Sequence, residues 1–306
     1  MAHTQNTRNT RNTRGTTSLR RALRREVPST VGLLADAQDF AAMRRYRTFA
    51  FDDHTTYLRE TERLLKSLAT SGGHTTVALF DPDDYAAYCT ETGLDPDSPA
   101  SRSRYTAEIA ATGARVPYTG QPIDELVPLL IDTAVRHATW EYATMLLTDA
   151  GQCADCGQDI GRAAFDQASR AVLRLLTDAG PGTHHLVCSI PTAADNLLAV
   201  LHTSRTDTGP AVLDSAEGAQ FVTVLAAGIA RETPGGLVLR TTAPGTTDRL
   251  HGWRLDQGRL VPLTEAEVFN AYCTDADTGE PLPPEPGVEY RAGFELAPDD
   301  GRPTHH

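Results

Sequence analysis

Lysine is almost absent from this chain: Lys66 stands alone against 27 arginines. Arginine has GC-rich codons and lysine does not, so the skew points to a bacterium with a high-GC genome and says nothing about mechanism. Cysteine is sparse as well. The five residues Cys89, Cys153, Cys156, Cys188 and Cys273 are irregularly spaced over 306 residues, which excludes a disulfide-stapled scaffold and suits a reducing cytoplasm. Long apolar runs are missing. The richest, Phe221 to Ala230, is far below the roughly 18–20 residues a bilayer requires, so neither a membrane span nor a membrane partner is expected. The apolar stretch after Arg20-Arg21 and Arg24-Arg25 is broken by Pro28 and stops at Asp36, too short for the core of an export signal. No G-x-S-x-G, P-loop or G-x-G-x-x-G segment occurs, which removes support for α/β serine hydrolases and the common nucleotide-binding folds.

What is present describes a globular protein. Hydrophobic residues make up 40% and charged residues 22%, ample for a buried core in a chain of this length. The formal net charge is −12, yet seven arginines precede the first acidic residue, Glu26; removing them leaves 21 basic against 40 acidic residues. Such a body repels phosphate backbones, so nucleic-acid binding is expected only of the basic amino-terminal arm, whose Asn-Thr-Arg triplet occurs three times between residues 6 and 14.

The pattern of residues predicts an α/β (or α+β) protein. Residues 1–27 read as a disordered basic arm, 28–150 as an α/β lobe, 151–274 as a more strand-rich α+β lobe and 275–306 as an acidic, proline-rich flexible tail with six prolines and eight acidic residues. In the first lobe, Ser29 to Ala35 and Thr75 to Phe80 are β-rich runs separated by a helical repeat at Leu58, Thr61, Leu64, Leu65 and Leu68, the order of a βαβ unit with parallel strands. Pro122 then opens a long helix whose apolar positions run from Ile123 to Ala138, and a second amphipathic helix spans Ile160 to Leu176. Later, Asp256-Gln257-Gly258 reads as a hairpin turn between two strands, and Thr264 with Glu267 forms a capping box.

Two constellations carry candidate chemistry. Cys153-x-x-Cys156-Gly157 has the spacing of a zinc knuckle, and His185-x-x-Cys188 supplies a second pair, giving a Cys₃His metal set of Cys153, Cys156, His185 and Cys188. Alternation along a strand points positions 185 and 188 to opposite faces, so this set requires a bend there. The same CxxC ahead of a helix, with Ile190-Pro191-Thr192 downstream, resembles thioredoxins and implies a thiol oxidoreductase, although no Trp precedes Cys153.

The second constellation is Asp36, Asp81 and Asp83, at the carboxyl ends of the two best strands, where Mg²⁺ could be held for phosphate-ester or nucleic-acid hydrolysis. Phe80-Asp81-Pro82-Asp83 resembles, over four residues, the strand and D-x-D of haloacid-dehalogenase-type phosphatases, but the sole lysine precedes it. The competing role for these aspartates is helix capping. Whether the protein is an enzyme is left open by the sequence. The leading expectation is a non-catalytic regulatory or interaction role with a protein partner, stabilised by zinc.

Overall fold

A computed structural model describes residues 29–70, 74–193, 196–206, 209, 212–275 and 278–296. The basic arm, residues 71–73 and the last ten residues lie outside the described residues. The chain divides into two compact units, Met1–His137 and Ala138–His306.

The first unit is built on β1 (Ser29–Leu33), α1 (Ala37–Met43), α2 (His54–Thr70), β2 (Thr75–Leu79), α3 (Pro82–Thr92), α4 (Pro99–Thr112) and β3 (Arg115–Pro117). β1 and β2 pair in parallel, Ser29 opposite Thr75 through Leu33 opposite Leu79, as the βαβ reading expects. β3 joins β2 antiparallel, so the small sheet is mixed in the order β1-β2-β3. Its core is unusually aromatic for a chain with so few rings. Phe80 meets Tyr105 edge-on at 5.0 Å, and Phe40 lies 5.8 Å from Tyr57, geometries that favour aromatic pairs beyond simple area burial. Gly32 is required at its place, because a Cβ there would come within 2.9 Å of the Phe80 ring.

The helix α5 (Ile123–Thr148) runs through the division between the units. The second unit continues with α6 (Ile160–Asp178), β4 (Gly182–Pro191), β5 (Asn196–Arg205), β6 (Val212–Leu213), α7 (Ser215–Ala230), β7 (Gly235–Thr242), β8 (Asp248–Asp256), β9 (Arg259–Pro262), α8 (Glu265–Tyr272) and β10 (Val288–Arg291). The strands form one sheet ordered β10-β8-β7-β4-β5-β6, with β9 paired to β8. The sheet is antiparallel except where β10 runs parallel to β8. That last strand corrects the reading of 275–306 as a loose tail: Val288–Arg291 is held in the sheet, although nothing in its proline-rich surroundings signals it.

One face of this sheet is dry. Leu186, Cys188 and Ile190 of β4 project from it with Leu197, Ala199 and Leu201 of β5, and all are buried against a core that includes α6 and α7. The second half of α7, Phe221 to Ile229, is buried on every side and apolar except for Thr223, as a helix covered on several sides must be. Gly228 gives it close approach, since a Cβ there would meet Ile190 Cδ1 at 2.6 Å. On the other face, α8 covers β8, its Val268 lying 3.0 Å from where a Gly252 Cβ would stand. The β8–β9 hairpin is formed where the sequence places it, but Asp256 belongs to β8 and pairs with Arg259, so the loop has two residues, with positive φ at both Gln257 and Gly258. The Thr264–Glu267 capping box is formed as read.

Candidate metal centre

The segment 149–159 joins α5 to α6 and holds the two neighbouring thiols. Gly151, with φ +70, turns the chain, and the Ile160 N–H donates to the Gly151 carbonyl at 3.0 Å, closing the loop at its base. Gln152 and Asp159 form an antiparallel bridge across it. Inside that bridge, the Cys153 N–H donates to the Gln158 carbonyl and the Gly157 N–H donates to the Cys153 carbonyl, both at 2.8 Å. Gly157 has φ +69, a left-handed conformation that favours glycine, which is why CxxC is followed by Gly here. Asp159 then caps α6, accepting from the Arg162 N–H at 2.7 Å. Gly161 completes the anchorage: a Cβ at that position would lie 2.5 Å from the Leu147 carbonyl oxygen. The thiols thus sit on a hairpin tied to two helices.

Cys153 is buried and Cys156 is exposed; neither is in a disulfide. The Cys153 thiol is held below its ordinary pKa, first by the Cys156 backbone N–H, then by that of Asp155, with the Cys156 thiol also contributing and burial opposing. Donated N–H groups stabilise the thiolate, the form that binds metals.

The other two members of the expected zinc set are elsewhere. β4 is paired continuously with β5 on one side and with β7 on the other, which leaves no bend in it. His185 and Cys188 therefore point to opposite faces, correcting the proposed Cys₃His set. Cys188 is in the dry core, where burial pushes its thiol up to about 12. His185 is exposed and stacks on His202, the cross-strand neighbour, at 4.5 Å and 13°. Burial, His202 and Arg240 in that order lower its pKa. Its neighbour His184 is fully buried and occupied by Gly180 and Thr241. Among the described residues, no three His, Cys, Asp or Glu side chains gather so as to hold a metal ion.

The aspartates lie at the same end of the first unit because β1 and β2 are parallel neighbours. Each is committed to a helix, however. Asp36 Oδ1 accepts from the N–H groups of Gln38 and Asp39, both at 2.8 Å. Asp81 Oδ1 accepts from Asp83 and Asp84 at 2.7 and 2.9 Å, with Pro82 at the first helical position. Asp83 lies in the first turn of α3. The crowding is electrostatically real: after burial, the charges of Asp36, Asp81 and Asp83 raise the pKa of Asp39, and those of Asp81 and Asp83 raise that of Asp84. Asp81→Ala is expected to lower the stability of the first unit by about 1 kcal/mol, the usual worth of a cap. Asp83→Ala, which removes a like charge and no cap, should stay within about 0.5 kcal/mol. Urea titrations of both variants check this, and equal losses would contradict the capping assignment.

Sequence reasoning missed the His185–His202 stack and the ion-pair group in which Arg240 Nε donates to Asp248 at 2.7 Å while its other nitrogens hold Glu285 at 2.8 and 3.1 Å. The stack depends on strand register and the ion-pair group on a loop, at Glu285, packing back against β7, relations that spacing alone does not display.

Residues 18–121 match the family model described as a domain of unknown function (DUF8829). That stretch, well under half of the chain, contains the three aspartates and ends before the thiol hairpin. No curated protein and no solved structure matches the chain. Among the described residues, no helix is long and apolar enough to cross a membrane.

Proposed function

We propose that this protein acts by binding rather than by catalysis, in a reducing cytoplasm, and that a zinc ion held by Cys153 and Cys156 is central to that role. The observation that carries the reading is the hairpin itself. Its backbone is set by two glycines with positive φ and an internal pair of 2.8 Å hydrogen bonds, and it places one exposed thiol beside one that accepts N–H groups from its own turn. Two thiolates on one tight turn are half of the tetrahedral set that structural zinc takes. The hydrolase reading has weaker support, because one oxygen of each of the Asp36 and Asp81 carboxylates is engaged by two helix amides. With the body of the chain strongly acidic, a protein partner suits it better than a nucleic acid.

Elemental analysis of protein purified under reducing conditions tests this. Zinc should remain bound through gel filtration, disappear in Cys156→Ser, and on chelation leave a protein with a lower melting temperature. Metal-free protein with an unchanged melting temperature after zinc is added would overturn the reading. The lowered Cys153 pKa also favours a second reading, the thiol oxidoreductase. That reading predicts a reversible Cys153–Cys156 disulfide at a cytoplasmic potential, whereas zinc-bound thiolates should resist alkylation until chelator is added.

A further inference from the structure

We infer that the zinc site is completed in trans: the Cys153–Cys156 hairpins of two copies of this chain clasp one zinc ion between them, as a Cys₄ centre on a two-fold axis. The inference rests on the zinc reading above and adds the source of the missing ligands. A closed structural zinc site takes four protein ligands, and one hairpin offers two. Among the described residues no further His, Cys, Asp or Glu gathers with the hairpin to supply them, and Cys188 faces the core of the sheet.

The hairpin is shaped for another copy. Ala154, Asp155, Cys156, Gly157 and Gln158 are all exposed, so the turn that follows the buried Cys153 faces outward. Its small residues, Ala154 and Gly157, put no bulk between approaching backbones. The base is rigid, tied by the Ile160–Gly151 hydrogen bond and the Gln152–Asp159 bridge, so little ordering is required when a second hairpin arrives. A two-fold contact is self-complementary by construction: each copy presents to the other what it needs. Four thiols would release four protons on binding one Zn²⁺, leaving a centre of charge −2.

Charge makes the cation the necessary link. Each copy carries a net charge of −12, and Asp155 sits in the tip itself, so two tips repel one another without metal. The association should accordingly appear and vanish with zinc.

The test is mass by light scattering together with zinc content, on full-length protein in a non-thiol reductant, with zinc or with a strong chelator. A dimer holding about 0.5 zinc per chain, reverting to monomer with chelator and in Cys156→Ser, is the expected result. Cobalt substitution adds a signature, since the intensity of thiolate-to-cobalt charge transfer counts the sulfurs and should indicate four. Because Cys156 is exposed, its replacement should leave the far-ultraviolet circular dichroism unchanged. A monomer with about one zinc per chain would overturn the trans site while sparing the zinc reading, with the ligands then coming from elsewhere in the same chain. A dimer indifferent to zinc would also overturn it. Protein that takes up no zinc in either form would overturn both.

Discussion

Trp253→Ala is expected to cost the second unit about 3–5 kcal/mol, the range for removing a large buried aromatic. Trp253 is 0% exposed on β8 and belongs to the core under the sheet. Its indole meets Phe294 edge-on, with centroids 4.9 Å apart, and its Nε1–H donates to the Phe294 carbonyl at 3.0 Å. The residue therefore also holds the segment after β10 in place. Alanine would leave a cavity in that core, take from Phe294 one of its two ring partners, the other being His251, and leave a carbonyl without its donor. Trp253→Phe separates these contributions. It retains an aromatic ring but no N–H, and should cost about 1–3 kcal/mol, the smaller ring and the lost hydrogen bond to a half-buried carbonyl both contributing. Urea unfolding followed by circular dichroism measures both. Losses below about 1 kcal/mol for the alanine variant would mean that the core is not organised around this side chain.

The contrast between what could and could not be read from the sequence has a physical basis. β1 and β2 are legible because β-branched runs lead directly into aspartate caps, so local propensity and capping agree. The thiol hairpin is legible because a tight CxxC turn closes on a residue with positive φ, which the sequence supplies as Gly157. β3 and β10 are short, of three and four residues, and exist because a neighbouring strand offers an edge. Neither carries enough residues to display a period. The zinc set failed at His185 and Cys188 for a more instructive reason. Spacing in a turn predicts convergence, but the same spacing in a strand predicts divergence, and β4 is locked straight by partners on both edges. The stacking of His185 on His202 depends on where the β4–β5 hairpin sets its register, so it is invisible until Pro191 is known to oppose Asn196.

Lowering the pH from 7 to 5 should destabilise the second unit well before its carboxylates titrate, and its histidines set the direction. His184 is fully buried, with Nε2 3.0 Å from the Gly180 carbonyl oxygen and Nδ1 3.1 Å from Thr241 Oγ1. A carbonyl can only accept, so Nε2 carries the proton and the Thr241 hydroxyl donates to Nδ1, an arrangement that describes a neutral ring. Burial lowers the pKa of His184, with Arg205 and Arg249 adding to the effect and the Gly180 carbonyl opposing it. His251, which bonds the Ala292 carbonyl at 2.8 Å, is lowered chiefly by burial, then by Arg249 and Arg291. His185 is lowered in the same direction.

A histidine whose folded pKa lies below its unfolded value of about 6.5 binds protons more readily in the unfolded chain. Its contribution is therefore complete above that pH and is lost as the pH falls from there toward the folded pKa, by at most about 1.4 kcal/mol per pH unit for each such residue. Asp39 and Asp84 of the first unit have the opposite tendency in mild acid, because their pKa values are raised by burial and then by neighbouring carboxylates, so that protonation favours the folded state, whereas Asp53 and Asp97 of the same unit are lowered. Urea midpoints measured at pH 7, 6 and 5 should accordingly fall for the second unit, and His184→Gln, which retains a donor and an acceptor without titrating, should flatten that slope. A midpoint for the second unit that holds constant across this interval would show that these rings are protonated as easily folded as unfolded, and would remove buried neutral histidine from the account of its stability.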